Sequence, residues 1–205
     1  GELVGEYPKD KLSRLDLVSK MIGRDASIIA RKERAKSRKT DNAKVAVEVR
    51  NLSTKTKLRG ISFTIREGEV VGLAGLLGSG RTELARIIFG ADTVYEGEIL
   101  MGGIPVRFRQ PKDAIAAGIA YCSENRREEG ILPNMSVKEN LTAAVLPRIT
   151  RRGLVQRKEQ KELTQEYIDN MHIKTPTMEQ SIKYLSGGNQ QKVILGRWLA
   201  TDPDF

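Results

Sequence analysis

The chain has 205 residues, of which 39% are hydrophobic, 30% are charged and only 5% are aromatic, and its formal net charge is +9. This length suffices for one domain with a substantial core and for part of a neighbouring one. No apolar run approaches the roughly 20 residues that a membrane-spanning helix needs, and the first residues lack the pattern of a secretory signal. The single cysteine excludes internal disulfides and suits a reducing compartment.

The first 44 residues divide into two pieces of different character. Apolar residues recur at helical spacing in LSRLDLVSKMIGR, which predicts a short helix within residues 1–24. Residues 25–44 follow as a basic segment, and counted from Arg24 it holds eight basic and three acidic residues. A solvated linker is the favoured interpretation, and a patch for nucleic acid or anionic lipid is the alternative. No aromatic residue is interleaved, which argues against stacking on single-stranded nucleic acid.

Residues 45–205 are interpreted as the main domain, and their pattern predicts a series of strands and helices. The predicted strands are VAVEVRNLS, ISFTI, an apolar run over Glu69–Ala74, Tyr95–Met101 and GIAYCSE. The first two predicted helices are Thr82–Phe89 and one that starts at Pro111 and stops at Gly118. A third opens with a capping box from Ser136 to Glu139. The last two cover residues 156–171 and the stretch from LSGG to Ala200. The position of Cys122 inside a predicted strand indicates a buried, inert thiol, and His172 is interpreted as a surface or helix-end residue.

The stretch GLAGLLGSGRTELARI resembles the phosphate-binding pattern G-x-x-x-x-G-K-[ST], except that Arg81 occupies the lysine position. A strand, a glycine-rich turn and a helix direct several backbone N–H groups at one point, where the helix dipole also favours an anion. Thr82 supplies a hydroxyl for Mg²⁺, while arginine keeps the charge of lysine but has a planar, less compact head. The predicted nucleotide-binding residues are Gly75, Leu76, Leu77, Gly78, Ser79, Gly80, Arg81 and Thr82. A structural strand-to-helix turn is the alternative interpretation.

A second glycine motif, LSGGNQQKV at residues 185–193, decides between these interpretations. It resembles the signature motif of ATP-binding cassette ATPases, in the version found in monosaccharide importers of the ribose type. A serine hydroxyl, glycine N–H groups and a helix N-terminus suit an anion there, whereas an ordinary capped helix is the alternative. The residues that match the signature are Leu185, Ser186, Gly187, Gly188, Asn189 and Gln190.

The resemblance extends almost continuously over residues 45–205 and identifies them as the second cassette of a tandem importer ATPase. In YCSENRREEGILPNMSVKENL, Glu124 matches the Q-loop position, so the resemblance implies a catalytic role at the Mg²⁺ or the attacking water; a solvated residue at a turn is the alternative. The implied fold is an α/β P-loop NTPase-like core with a mixed sheet, an antiparallel β subdomain and a helical subdomain at about 125–190. The implied cofactors are ATP and Mg²⁺. Residues 1–24 resemble the tail of a preceding nucleotide-binding domain.

The same resemblance implies the partners and the location of the whole protein. Two cassettes pair head to tail, and each site joins the phosphate loop of one cassette to the signature of the other. The expected partners are the first cassette of the same protein, membrane permease subunits reached through residues 125–180, and indirectly an extracellular or periplasmic sugar-binding protein. No nucleic-acid partner is expected, and the expected location is the cytoplasmic face of the membrane.

The chain also departs from the family pattern. NLSTKTKLRG lacks the aromatic residue that stacks on adenine, and the strand that carries the general-base glutamate is expected beyond Phe205. The chain is therefore interpreted as an incomplete cassette that would not turn over ATP alone. Two other functions stay open: an ATPase of this class that acts on nucleic acid or the ribosome, which the +9 charge favours, and a catalytically inert regulatory cassette.

Overall fold

The computed structural model describes Tyr7, residues 43–93 and residues 96–205, of which Lys44–Phe205 form one compact unit. The strands are β1 Val45–Ser53, β2 Ile61–Arg66, β3 Glu96–Met101, β4 Ile104–Val106, β5 Thr150–Arg151 and β6 Leu154–Val155. The α-helices are α1 Arg81–Ile88, α2 Pro111–Ala116, α3 Val137–Thr142, α4 Arg157–Asn170 and α5 Gly187–Leu199. A single π-helical turn lies at Arg126–Gly130, and short 3-10 turns lie at Ala143–Val145 and Ile182–Tyr184. The helix predicted in residues 1–24 and nearly all of the basic segment lie outside the described residues.

An antiparallel sheet with the strand order β2-β1-β3-β4 forms one half of the described unit. The inner strand β1 alternates as the sequence predicts, so that Val47 and Val49 are buried while Glu48 between them is only partly buried. The register shifts after Val49, where Asn51 has a φ of 48°. Because this bulge adds a residue, Leu52 returns to the buried face although it lies an odd number of positions from Val49.

The helices begin where their local chemistry predicts. Pro111 is in the first turn of α2, where its missing N–H has no helical partner to lose. The predicted capping box of α3 is confirmed: the Ser136 side chain accepts from the Glu139 amide, and the Glu139 carboxylate accepts from the Ser136 amide at 2.8 Å. Two orphan donors are satisfied in this way, which stabilises the short helix.

Two hydrophobic clusters form the core. The first joins the sheet to α1 and α2 and includes Val47, Val49, Leu52, Ile87 and Phe89. The second joins α3, α5 and the segment before α5, and it includes Val137, Leu141, Ile182, Leu185 and Val193. Trp198 on α5 packs against both clusters, and its ring meets that of Phe89 edge-on with the centroids 5.4 Å apart. The indole therefore marks the boundary at which the sheet half and the helical half share a core.

Two of the predicted strands are not strands in the structure. Glu69–Ala74 and residues 118–124 belong to no strand, Gly118 has a φ of 78°, and no residue from 70 to 75 exchanges a backbone hydrogen bond with another described residue. Among the described residues, the second segment makes a strand-like contact only with the last two residues, where the Ala120 amide donates to Phe205 O at 2.8 Å. An apolar run provides the tendency to form a strand, but the strand itself requires a paired neighbour.

Three smaller predictions can be compared with the structure, and the one for Cys122 is wrong. Cys122 is exposed and not buried, because its segment is not covered as a central strand would be. His172 is exposed and follows the end of α4 with a φ of 51°, so its helix-end position is confirmed. The charged run Asn125–Glu129, whose composition favours a solvated loop, overlaps the π-helical turn Arg126–Gly130. In the described part of the chain, no helix has the length and apolar character needed to cross a membrane.

Candidate functional site

The glycine loop, residues 75–82, leads from the exposed apolar run into α1. Gly78 and Gly80 have φ values of 81° and 93°, a conformation that side chains with a Cβ rarely adopt. Gly80 is the N-cap residue of α1, and no side chain caps the first turn. Because the helix start is not capped, its amides and its dipole stay directed at the space in front of the loop, where an anion would be stabilised.

The interior of the loop is narrow but its mouth is open. A Cβ on Gly75 would lie 2.5 Å from the Ser79 hydroxyl, so glycine is required for the Ser79 side chain to fold back against the loop. A Cβ on Gly78 would meet no atom within 4 Å. The side chains of Leu76 and Leu77 are 86% and 94% exposed. The loop is therefore not filled by its own side chains on the face where a phosphate would approach.

Thr82 and Glu124, predicted as Mg²⁺ ligand and Q-loop equivalent, lie in contact. The Thr82 hydroxyl donates to Glu124 Oε2 at 3.1 Å, although the two residues are 42 positions apart. Mg²⁺ prefers oxygen ligands at 2.0–2.1 Å in octahedral geometry, so two neighbouring ligands lie about 2.9 Å apart. A hydroxyl and a carboxylate at this separation fit Mg²⁺, with phosphate and water oxygens as its other ligands.

The arginine that replaces the usual lysine is exposed, and a different lysine is placed beside the loop. Arg81 begins α1 and its residue surface is open to solvent. Lys57 forms an ion pair with Glu83 in the first turn of α1, and this hydrogen bond is the main cause that lowers the pKa of Glu83. An ionised Glu83 is favourable at a helix N-terminus. Lys57 leaves no signal in the sequence, because no pattern links it to Glu83, 26 positions away.

The signature residues form an exposed helix start. Ser186 is the N-cap residue of α5, yet its hydroxyl accepts a hydrogen bond from Asn189 Nδ2 at 3.0 Å and none from the backbone. Ser186 and Gly188 are exposed, and a Cβ on Gly188 would meet nothing within 4 Å. In the described residues, the amides of Gly187, Gly188 and Asn189 have no acceptor. Three free amides and a hydroxyl at a helix N-terminus make an anion site that faces outward.

The remaining signature residues anchor this helix start. Leu185 is buried in the second hydrophobic cluster. Gln190 is buried, and its amide nitrogen donates to Ile182 O at 3.1 Å. Asn189 Oδ1 accepts from the Lys174 amide at 2.9 Å. The motif therefore contains inward residues that fix the helix and outward residues that stay available to a ligand.

A buried polar pair outside the predicted site residues, Arg197 and Asn140, holds α5 in place. Arg197 is buried, and its guanidinium donates to Asn140 O at 2.6 Å, to Asn140 Oδ1 at 2.9 Å and to Gly130 O at 3.0 Å. Burial lowers the pKa of Arg197, because its partners are neutral oxygens and not carboxylates. The signal in the sequence is a single arginine inside the apolar run VILGRWLA, which indicates a satisfied buried group.

The architecture is that of an ATP-binding cassette, as the solved structures show. The ADP conformation of MJ1267, an ATP-binding cassette of an ABC transporter, matches with a TM-score of 0.60 and 20% identity, over 78% of this chain and 66% of that one. The dimeric post-hydrolysis state of the cassette MJ0796, bound to ADP and Pi, matches with a TM-score of 0.60 and 23% identity, over 77% and 70%. At these identities the match establishes the fold, and it confirms the predicted α/β class.

Residues 58–205 match the model of the ABC transporter family, and the chain belongs to this family. The ribose import ATP-binding protein RbsA 1 of Rubrobacter xylanophilus is 44% identical over 200 residues, which are 97% of this chain and 39% of the relative. The ribose import ATP-binding protein RbsA of Clostridium perfringens is 42% identical over 205 residues, or 100% and 40%. The chain thus spans about two fifths of the length of these relatives. The resemblance to ribose-type importer ATPases is confirmed.

Proposed function

We propose that this chain is part of the ATP-binding subunit of a monosaccharide importer and that it binds the phosphates of ATP with Mg²⁺. The observation that carries the proposal is the contact between the Thr82 hydroxyl and Glu124 Oε2, 3.1 Å long, beside an open glycine loop. If the loop were only a structural strand-to-helix turn, nothing would require a threonine hydroxyl and a carboxylate 42 positions away to be in contact there. The names of the relatives, which describe ribose import, support the sugar class.

In this proposal the chain contributes to two composite sites. The loop from Gly75 to Thr82 holds one nucleotide, and the outward group of Ser186, Gly187 and Gly188 faces the nucleotide of the preceding cassette. Two exposed anion sites on one compact unit support this arrangement, because neither site is completed by the described residues. ATP draws the cassettes together since its terminal phosphate contacts both, and hydrolysis removes that contact.

Mg²⁺ would be held by Thr82 and Glu124, and when bound it would offset the negative charge of the phosphates. Arg81 keeps a positive charge near the terminal phosphate but cannot reproduce the compact ammonium of lysine. We therefore expect the loop of this chain to bind nucleotide with little hydrolysis. The competent site would combine the lysine-bearing loop of the preceding cassette with the signature described above.

The same proposal places the whole protein at the cytoplasmic face of the membrane. The helical half, which includes the β5–β6 hairpin and α4, would contact the permease subunits and convert closure of the cassettes into transport. A sugar-binding protein on the other side would deliver the solute, so this chain would not contact the sugar. The identity of the solute is then set by the permease and the binding protein.

The test is a titration of the chain with ATP, with and without Mg²⁺. We expect the wild type to bind ATP more tightly with Mg²⁺, and Thr82→Ala to lose this gain while it keeps its affinity for metal-free ATP. The matched control is Thr177→Ala, an exposed threonine away from the loop. Equal effects of Mg²⁺ on wild type and Thr82→Ala would contradict the assignment. Binding of duplex DNA that falls steeply with salt would support the nucleic-acid alternative instead.

A mixing experiment tests the signature half. The chain is added to a partner cassette that carries an intact lysine loop, and the rate of ATP hydrolysis is measured. Ser186→Ala should lower the rate by about ten- to a hundredfold, since it removes a donor aimed at the phosphate. Steady-state hydrolysis by the chain alone that survives Arg81→Ala would contradict the proposal that its own loop mainly binds.

A further inference from the structure

The π-helical turn Arg126–Gly130, called the connecting turn below, lies between the helix of the glycine loop and the signature helix. On the side of α1, Arg86 Nη1 donates to Glu129 Oε1 at 2.8 Å. Just before the turn, Glu124 Oε2 accepts from Thr82 at the start of the same helix. Two acidic side chains therefore attach the connecting turn and its approach to both ends of α1.

On its other side, the connecting turn is attached to α5. Arg126 Nη1 donates to Gly187 O at 3.0 Å, and Arg197 Nη1 donates to Gly130 O at 3.0 Å. The first bond is at the start of the signature helix, and the second is near its end. Because hydrogen bonds attach both ends of the connecting turn to α5, a displacement of the turn would also move α5.

The contact between Arg126 and Gly187 is unusually close. A Cβ on Gly187 would lie 2.9 Å from Nη1 and 3.1 Å from Nη2 of Arg126, so the guanidinium occupies the space that a side chain at this position would need. The Nε atom of Arg126 is buried and has no hydrogen-bond partner among the described residues. A cation at a helix N-terminus also opposes the helix dipole. Such an unfavourable placement calls for a role beyond packing.

We propose that Arg126 is a positioning residue, which fixes the start of α5 relative to Glu124 so that occupation of the glycine loop resets the signature amides. The Arg126 amide donates to Glu124 O at 3.1 Å, so a movement of Glu124 is passed to Arg126 through the backbone and from there to Gly187. This inference rests on the proposed function, because it requires that the loop bind ATP and Mg²⁺.

Hydrogen–deuterium exchange of the 205-residue chain tests the proposal, with the peptide over residues 185–193 as the reporter. In the wild type, saturating MgATP should change exchange in this peptide several-fold. Arg126→Ala should bind MgATP within about twofold of the wild type but lose this response. The matched control is Arg127→Ala, which removes the same charge from an exposed neighbour in the same turn and should respond like the wild type.

A second variant distinguishes the loss of this contact from a folding defect. Arg126→Lys keeps the charge but not the planar fork that lies against Gly187, so it should also lose most of the response. Peptides from α4 serve as an internal reference, since their exchange reports overall stability and not the coupling. A response in Arg126→Ala or Arg126→Lys equal to that of the wild type overturns the positioning role.

The remaining outcomes separate this inference from the proposed function. If the wild type binds MgATP but exchange in residues 185–193 does not change, the inference is wrong and the proposed function stands. If the wild type does not bind MgATP at all, the proposed function fails and the inference falls with it. An equal loss of response in Arg127→Ala would show that net charge, and not the Arg126 contact, carries the effect.

Discussion

Replacement of Asn140 by alanine should be among the most destabilising single changes in the described unit. Asn140 is 0% exposed in α3, and its side chain joins three parts of the chain. Its Oδ1 accepts from the Leu132 amide at 2.8 Å and from Arg197 Nη2 at 2.9 Å. Its Nδ2 donates to Leu132 O at 2.9 Å and to Ser136 O at 3.0 Å, with a longer contact to Met135 O.

The expected cost follows from the groups that Asn140→Ala leaves without a partner. The two bonds with Leu132 contribute about 1 kcal/mol each, and the bond from the charged Arg197 contributes about 1.5–3 kcal/mol. The Arg197 guanidinium would stay buried with one acceptor fewer, which adds a desolvation penalty. Because such terms are not additive, we expect the free energy of unfolding to fall by about 3–5 kcal/mol.

Urea unfolding measures this loss, and the single tryptophan, Trp198, provides the fluorescence signal next to the affected arginine. With a slope of about 2 kcal/mol/M, the midpoint should fall by about 1.5–2.5 M. The matched control is Asn134→Ala, an exposed asparagine in the preceding turn, which should change the stability by less than about 0.5 kcal/mol. A loss for Asn140→Ala below about 1 kcal/mol would refute the role of this network.

Three further predictions concern the cap, the glycine loop and the thiol. Hydrogen bonds from Ser136, first from its amide and then from its hydroxyl, lower the pKa of Glu139 in the folded chain. The ionised carboxylate therefore stabilises the fold fully above the pKa that Glu139 has in the unfolded chain. This stabilisation is lost as the pH falls through the lower pKa of the folded chain. Urea curves should therefore show Glu139→Gln less stable than wild type by about 0.5–1 kcal/mol at neutral pH, and equal to it in strong acid. Gly78→Ala should cost about 1–2 kcal/mol through its positive φ alone, whereas Gly80→Ala should cost more in the same assay, because its Cβ would lie 2.5 Å from a leucine side chain. Cys122 is exposed as a residue, but partial burial of its sulfur raises the pKa of the thiol, so iodoacetamide at neutral pH should alkylate it more slowly in the folded chain than in urea; equal rates would contradict this.

Features set by a few neighbouring residues could be predicted from the sequence. The capping box from Ser136 to Glu139 is determined by residues three positions apart, and the structure has it. The starts of α1 and α5 follow from glycine and serine at the boundary of an apolar helical pattern. These signals act within one turn of a helix, so no knowledge of the tertiary fold is needed to interpret them.

The strands predicted at Glu69–Ala74 and in residues 118–124 show the limit of that reasoning. Their apolar, β-branched composition is correct for a covered strand, but the described residues provide no ladder partner for the first of them and only a short contact for the second. The burial predicted for Cys122 was wrong for the same reason. Composition describes a tendency, and pairing is a property of residues far away in the chain.

The candidate site was predictable where a motif exists and not where it depends on long-range polar contacts. The family pattern selects Thr82 and Glu124, which lie in contact, and their roles stay predictions. Asn140, Arg197 and Arg126 belong to no motif: Arg126 lies in a charged run, and the apolar run around Arg197 indicates burial but does not identify its partners. Each of the two arginines donates to backbone oxygens at least 57 positions away, and residue identity does not reveal such acceptors.

The exposed apolar run before the glycine loop has a practical consequence for the purified chain. The side chains of Val70 and Leu73 are 96% and 45% exposed, and the backbone groups of residues 70–75 have no backbone partner among the described residues. Such a stretch invites strand pairing between copies, as unprotected sheet edges do. Recovery of soluble material should therefore fall as the protein concentration during refolding rises. A charged residue in place of Val70 should counteract that loss by repelling neighbouring molecules.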